Sequence, residues 1–178
     1  MLAKFIIIAI TAEAFLTKNE AVESFVSEGP HWVKLNTSPV CFGTKWNQYG
    51  RFTYGQDISV GQFMLVHRTG KVTCRMENVP GTNWGCNPHP ERLKAILTDQ
   101  QNKILAPAAS KVNQLYGRYT LAGYSASSPL LVFCARPPSQ PLVVPANSEL
   151  RLWYGEDLVG YTEEDNSGEA CADRKSVV

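Results

Sequence analysis

The feature that most constrains the fold is a series of short apolar segments, separated by turn residues, between residues 31 and 154. Residues 62–68 and 149–154 alternate apolar and polar side chains, as strands with one buried face do. Strong helical segments are missing, although residues 107–115 could form a short helix that begins with proline. The sequence therefore predicts an all-β fold, an antiparallel β-sandwich whose strand order, jelly-roll or immunoglobulin-like, stays open. The predicted strands are 31–35, 50–54, 62–68, 93–97, 118–121, 130–135 and 149–154.

The first fourteen residues have the pattern of an export signal. Lys4 supplies a positive charge, residues 5–10 are apolar, and Ala12 and Ala14 are small residues of the kind found at a cleavage site. The apolar run is too short to cross a bilayer, which needs about 20 residues; a buried N-terminal strand is the alternative. We expect a signal peptide at 1–14, an N-terminal arm at 15–30 and one sandwich domain at 31–178, secreted, extracellular and without a transmembrane segment.

Five cysteines are read as bridge formers, because an exported chain meets an oxidising compartment. Cys74 and Cys86 close a short loop rich in Gly, Pro and Asn, which makes them a candidate pair. Cys41 and Cys171 lie near the two ends of the domain, which often meet, so they form a second candidate pair. Connectivity cannot be derived from sequence alone. Cys134 lies in an apolar strand and is expected to be a buried free thiol.

Acidic residues are concentrated near the C-terminus. The net charge is +1, yet seven of the sixteen acids lie between Glu156 and Asp173. The balance indicates no nucleic-acid partner. Carboxylate and carbonyl oxygens are calcium ligands, so the candidate calcium site comprises Glu163, Glu164, Asp165 and Glu169. The alternative is a charged loop that only keeps a sheet edge soluble.

Other site chemistry is sparse. The three histidines have no zinc-binding spacing, and no nucleophile elbow or phosphate loop occurs, so no enzyme is predicted. Exposed aromatic side chains could bind sugars or surfaces. Trp84 is the one most expected to be exposed, whereas Trp153 is expected in the core. Asn36 begins a glycosylation sequon, although Pro39 follows it directly.

The C-terminal half resembles a group of small secreted, cysteine-containing proteins of corals and sea anemones, of the skeletal organic matrix or secretion type. The resemblance covers about residues 63–173, and it is carried by 84–87, 93–98, 150–158, 162–168 and 171–173. It implies that Cys74, Cys86 and Cys171 are family cysteines and that Cys134 is an addition. The related chains continue past the last cysteine with an apolar strand, whereas this chain ends Arg-Lys-Ser-Val-Val, which predicts a truncated or replaced final strand and an unpaired edge.

These observations predict a secreted extracellular binding or structural-matrix protein with calcium as a candidate cofactor. Extracellular matrix, mineral or carbohydrate are the expected partners. The alternative function is a secreted toxin or defence effector that acts on membranes or a receptor, and a hydrolase of unrecognised type is third.

Overall fold

Two long strands form the centre of the first sheet: β5 (Gln62–Thr73) and β13 (Ser167–Val177). The computed structural model describes residues 31–75, 79–134 and 140–177. β5 and β13 pair antiparallel along the whole of β13. Three shorter strands complete this sheet. β1 (Trp32–Lys34) and β2 (Val40–Gly43) pair with β13, and β10 (Leu130–Cys134) pairs with β5.

The second sheet has the order β3 (Gly50–Thr53), β12 (Glu149–Tyr154), β8 (Ala95–Asp99) and β9 (Ile104–Ala106), with antiparallel pairing throughout. Two small ribbons accompany it: β4 (Ile58–Val60) with β11 (Leu142–Val144), and β6 (Gly85–Cys86) with β7 (His89–Leu93). The helical elements in the described part of the chain are short, namely α1 (Gly155–Val159) and the 3₁₀ turns Ala109–Lys111 and Glu163–Asp165.

One apolar core lies between the two main sheets, and this arrangement is the predicted antiparallel sandwich. Phe63 and Leu65 of β5 are buried alternately, as their pattern predicts. Ala170 and Ala172 of β13 are fully buried. The second sheet contributes side chains such as Leu152, and the two sets belong to one contiguous cluster. Because alanine is small, the centre of the first sheet leaves room for larger side chains from the second.

β5 extends beyond the predicted 62–68, the strands β2, β4, β9, β11 and β13 were not predicted, and two predicted strands are not found as predicted. The segment 118–121 is no strand, because Arg118 and Tyr119 make only single bridges, to Asn113 and Leu93. The predicted strand 93–97 is divided at Lys94, between β7 and β8, where the Lys94 N–H donates to the carbonyl of Trp84. Residues 149–154 form a strand with the predicted bounds. The short helix predicted at 107–115 is reduced to a 3₁₀ turn.

The expectation of an unpaired edge at the C-terminus is wrong. β13 is the longest-paired strand of the first sheet, and its final residues lie between β1 and β5, with Lys175 opposite Lys34 and Met64. The polar sequence Arg-Lys-Ser did not indicate a strand, because polar side chains are buried on both faces of β13. Asp173 and Arg174 are both buried, one on each face.

The structure contains both candidate disulfides, Cys41–Cys171 and Cys74–Cys86. Cys41 lies directly opposite Cys171 in the pairing of β2 with β13. Cys134 is free, as predicted, but it is exposed and not buried. It ends β10 on the outward face, next to the side-chain amide of Gln62. The predicted signal and arm, residues 1–30, lie outside the described residues, among which no helix is long and apolar enough to cross a membrane.

Removal of the two disulfides should have unequal effects. The bridge Cys41–Cys171 spans 130 residues and Cys74–Cys86 spans 12. Since loop-closure entropy grows with the logarithm of loop length, replacing Cys41 and Cys171 by alanine should lower the free energy of unfolding by about 2 kcal/mol more than replacing Cys74 and Cys86. Urea unfolding of the two double variants measures this difference. Equal losses would contradict the chain-entropy explanation.

Candidate functional site

The connection between β2 and β3 presents the most exposed large aromatic side chain of the described residues. Trp46 is 61% exposed. Trp46 and Asn47 have φ angles of 62° and 58°, in the left-handed region. Each such residue costs about 1–2 kcal/mol when it is not glycine. Two in succession, one of them an exposed tryptophan, mark a loop whose shape is imposed by its surroundings.

Two carboxylates impose that shape. The Trp46 N–H donates to Glu163 Oε2 over 3.1 Å. The N–H groups of Asn47 and Gln48 donate to the two carboxylate oxygens of Asp157, over 2.7 and 3.0 Å. Three consecutive backbone donors are thus satisfied by acidic side chains from the far end of the chain. Hydrogen bonds to charged acceptors are roughly twice as strong as neutral ones, so these contacts offset the backbone strain.

Further contacts fix the base of the loop. Asn166 donates its side-chain amide to the carbonyl of Thr44 over 3.0 Å, and the ammonium group of Lys45 donates to the carbonyl of Glu164 over 3.4 Å. Gly43 N–H donates to the carbonyl of Gln48 over 2.8 Å, which closes the loop on itself. The loop 44–48 is therefore pre-organised, and Trp46 is held outward on a rigid base.

The two carboxylates that hold the loop, Asp157 and Glu163, are called the acidic anchor, and they lie close to each other. Burial, together with the neighbouring carboxyl of Glu163, raises the pKa of Asp157 to about 6, whereas the hydrogen bonds from Asn47 and Gln48 act to lower it. Two carboxylates this close repel each other when both are ionised. The pair can be relieved by a proton at low pH or by a cation at neutral pH.

Beneath the anchor, α1 is held by a buried ion pair. Glu156 pairs with Lys94, and both side chains are nearly inaccessible. Burial raises the pKa of Glu156 and lowers that of Lys94, and in each case the partner charge acts in the opposite sense. Next to this pair, the backbones of Gly155 and Gly117 approach so closely that a Cβ at Gly155 would lie 1.7 Å from the carbonyl oxygen of Gly117.

Two tyrosines pack together near α1. Tyr161 lies between α1 and Glu163, is partly exposed, and packs edge-to-face on Tyr116 with ring centroids 5.0 Å apart. Arg118 lies over the other ring, 4.4 Å from the Tyr116 centroid. Aromatic side chains with polar neighbours on a rigid base can bind ligands that have both apolar and hydrogen-bonding faces.

The four residues of the predicted calcium site lie on two different elements of the structure. Glu163 anchors the loop 44–48, Glu164 and Asp165 share its 3₁₀ turn and are exposed, and Glu169 lies on β13 opposite Gly43. Among the described residues, the metal-ligand groups that come within 4.8 Å of one another in a set of three are those of Glu169 and the disulfide Cys41–Cys171. The four carboxylates are not such a set, and calcium binding stays a prediction. Asp157, which the four did not include, is the nearer partner of Glu163.

The expectation for Trp84 is wrong, and that for Trp153 agrees with the structure. Trp84 is fully buried because the segment near Ala126 covers it and its indole N–H donates to the carbonyl of Ser128 over 2.6 Å. Trp153 is buried, with its indole N–H donating to Thr98. Trp46 and Trp84 both lie in polar segments of the sequence, so the sequence alone does not indicate that Trp46 is the exposed one.

The Asn36 side chain, the predicted glycosylation point, is used by the fold. Its amide nitrogen donates to the carbonyl of Ser38 and, over 3.3 Å, to Asp173. Its oxygen accepts the Arg174 N–H over 2.8 Å. A glycan attached at that nitrogen would leave one donor in place of two. Glycosylation stays a prediction that has to compete with these contacts.

A recess with a volume of about 490 Å³ lies between β11 and the turn from β8 to β9. Its carboxylates are already in use: Asp99 accepts the N–H groups of Gln101 and Lys103, and Glu149 holds Arg151. Since its polar groups serve local turns, this recess is the weaker candidate.

The acidic anchor should make stability depend on pH. Because the folded pKa of Asp157 is above its usual value, its contribution is present at low pH and lost as pH rises through about 6. Glu163→Gln keeps an acceptor for Trp46 and removes the repulsion. The variant should therefore melt at about the same temperature as the native protein at pH 4.5 and a few degrees higher at pH 7.5, since 1 kcal/mol shifts the melting temperature of such a domain by about 2–4 °C. Calorimetry in EDTA measures both.

The matched control is Glu164→Gln, which removes the same charge from an exposed neighbour that contributes only its carbonyl. It should follow the native pH profile. A Glu163→Gln profile parallel to the native one would show that the two carboxyls do not interact.

No protein-family model matches the chain, and no curated protein matches it. The fold is similar to a solved structure, "AJLec from the Sea Anemone Anthopleura japonica", with a TM-score of 0.73 and 36% sequence identity. The match covers 83% of this chain and 97% of that one. It agrees with the sea anemone part of the sequence resemblance and supports, at a coarse level, an extracellular binding protein. On this identity and coverage, the chain belongs to the family of AJLec.

Proposed function

We propose that this protein is a secreted lectin-like protein that binds carbohydrate without transforming it, at the surface formed by Trp46 and its acidic anchor. The observation that carries the proposal is Trp46, 61% exposed on a strained loop whose backbone is fixed by Glu163 and Asp157. The name of AJLec, which marks that protein as a lectin, points in the same direction. The two disulfides fit an oxidising, extracellular setting.

The chemistry suits a sugar. An indole offers a flat apolar face to the C–H groups of a sugar ring. Glu163 uses one carboxylate oxygen for the loop, and carboxylate oxygens have further lone pairs that accept hydrogen bonds from hydroxyls. Because the loop is rigid before binding, little ordering entropy is lost when a ligand arrives.

Calcium is a second part of the proposal. Asp157 and Glu163 form a close pair of carboxylates, and a divalent cation would remove their repulsion. Calcium takes six to eight oxygen ligands, so the pair would need carbonyl, water or sugar oxygens to complete its shell. Matrix and mineral partners, and the alternative of a toxin or defence effector, stay predictions.

Trp46→Ala tests the binding surface. The variant should weaken binding to the best neutral ligand on a glycan array by at least about 10-fold, which corresponds to 1.4 kcal/mol. Its melting temperature should be unchanged, because the side chain is largely outside the fold. The control is Val143→Ala, which removes another exposed apolar side chain, from β11, and should bind as the native protein does. A Trp46→Ala variant with full glycan binding would refute the proposed site.

Calcium is tested separately by titration calorimetry after EDTA treatment. Millimolar calcium should give a binding heat and raise the melting temperature, and Glu163→Gln should weaken the response by about 10-fold. Glu169→Gln should leave it unchanged, because the ligand groups close to Glu169 are the sulfurs of the Cys41–Cys171 disulfide and calcium binds oxygen. If the native protein shows neither heat nor a melting shift, the calcium part fails, and the Trp46 result decides the rest.

A further inference from the structure

Arg174 lies on the inner face of β13, where a charged side chain is unusual. It follows Ala170 and Ala172 at the two-residue period of a strand, so all three point between the sheets. It is fully buried, and its three guanidinium nitrogens have no hydrogen-bond partner among the described residues. Its guanidinium carbon lies 3.5 Å from the ring centroid of Phe52.

This side chain carries a positive charge with no ion-pair partner among the described residues. Burial lowers the pKa of Arg174 to about 9, with Asp173 acting in the opposite direction, so the group stays charged at neutral pH. Asp173 lies on the other face of β13 and is already bound by Arg68 over 2.6 Å and by Lys34 over 3.5 Å. Two cations thus already share this carboxylate, and Arg174 makes no hydrogen bond to it. Buried charges are normally paired, so such an excess calls for an anion nearby.

A groove of about 820 Å³ runs beside this cation. It lies between the segment 34–40 and the edge strand β3, and Phe52, which covers Arg174, is one of its lining residues. Lys34 and Arg51 also line it, and its lining includes no Asp or Glu. Its other polar groups are mainly the hydroxyls and amide of Asn36, Thr37, Ser38, Thr53 and Tyr54.

We propose that this groove is a second binding site, which takes an anionic saccharide whose sulfate or carboxylate group lies between Lys34 and Arg51, in the field of the buried Arg174. Lys34 and Arg51 supply charged donors at the surface, and Arg174 acts through Phe52 without touching the ligand. A buried charge is screened less than an exposed one, so its field reaches the groove. The hydroxyl lining suits the neutral part of a sugar chain.

The charge requirement is tested with three polymers of one backbone: dextran, dextran sulfate and carboxymethyl dextran. The native protein should bind at least one of the charged forms 10-fold or more tightly than dextran in 50 mM NaCl, and the difference should shrink at 300 mM. The better charged form identifies the oxyanion. Equal binding of all three, or none, would overturn the proposal.

The location is tested by the double variant Lys34→Gln/Arg51→Gln, which should weaken binding of the charged polymer by at least 10-fold. The matched control, Lys103→Gln/Lys111→Gln, removes two exposed positive charges elsewhere and should change it by less than 2-fold. Equal weakening by the two variants would mean that only net charge matters, and the groove would be rejected.

Arg174→Met separates a ligand role from a structural one. Replacing a buried unpaired charge by an apolar side chain of similar length should leave the melting temperature unchanged or raise it. The same variant should weaken binding of the charged polymer by about 3-fold or more. Unchanged binding, or a lower melting temperature, would show that Arg174 serves the fold. Trp46→Ala should not affect binding of the charged polymer, so this site and the Trp46 surface can fail independently.

Discussion

The antiparallel pairing of β5 with β13 is the constraint on which the rest of the structure depends. It joins the middle of the chain to its end over eleven residue pairs, from Ser167 opposite Thr73 to Val177 opposite Gln62. β13 in turn holds β1 and β2 at its other edge, and the Cys41–Cys171 bridge fixes β2 in register. Register is strongly specified here because a shift by one residue would exchange Ala170 and Ala172 for polar neighbours in the core.

The Trp46 surface is a product of that pairing. The loop 44–48 begins directly after β2, and its anchors precede β13 in the chain. With β2 and β13 locked together, Asp157 and Glu163 are brought under the loop, and their carboxylates satisfy its backbone donors. The strained conformation of Trp46 is therefore stabilised by global topology and not by local sequence preference.

Sequence reasoning was successful where local pattern and burial coincide. Alternation in 149–154 predicted β12 residue for residue. The short loop between Cys74 and Cys86, and the position of Cys41 and Cys171 near the two ends of the domain, suggested both bridges. It was unsuccessful where a neighbouring segment decided exposure. Trp84 and Trp46 both lie in polar loops, yet only Trp84 is covered, by residues some 44 positions away. Cys134 faces outward although its strand is apolar, since exposure depends on which neighbour completes the sheet. The pairing of Asp157 with the loop could not be predicted, because no local signal links residues about 110 positions apart.

The long reach of those anchors has a consequence for biosynthesis. The hydrogen bonds that shape the loop span 109 to 122 residues. A nascent chain that has emerged only as far as β12 contains Trp46 but none of the side chains that hold it. The Trp46 surface forms only when the C-terminal segment with its anchors and β13 has folded. An incompletely made or clipped chain therefore contains the tryptophan without the surface. Exposure of the tryptophan alone is therefore not enough to form this surface, which depends on contacts that the end of the chain supplies.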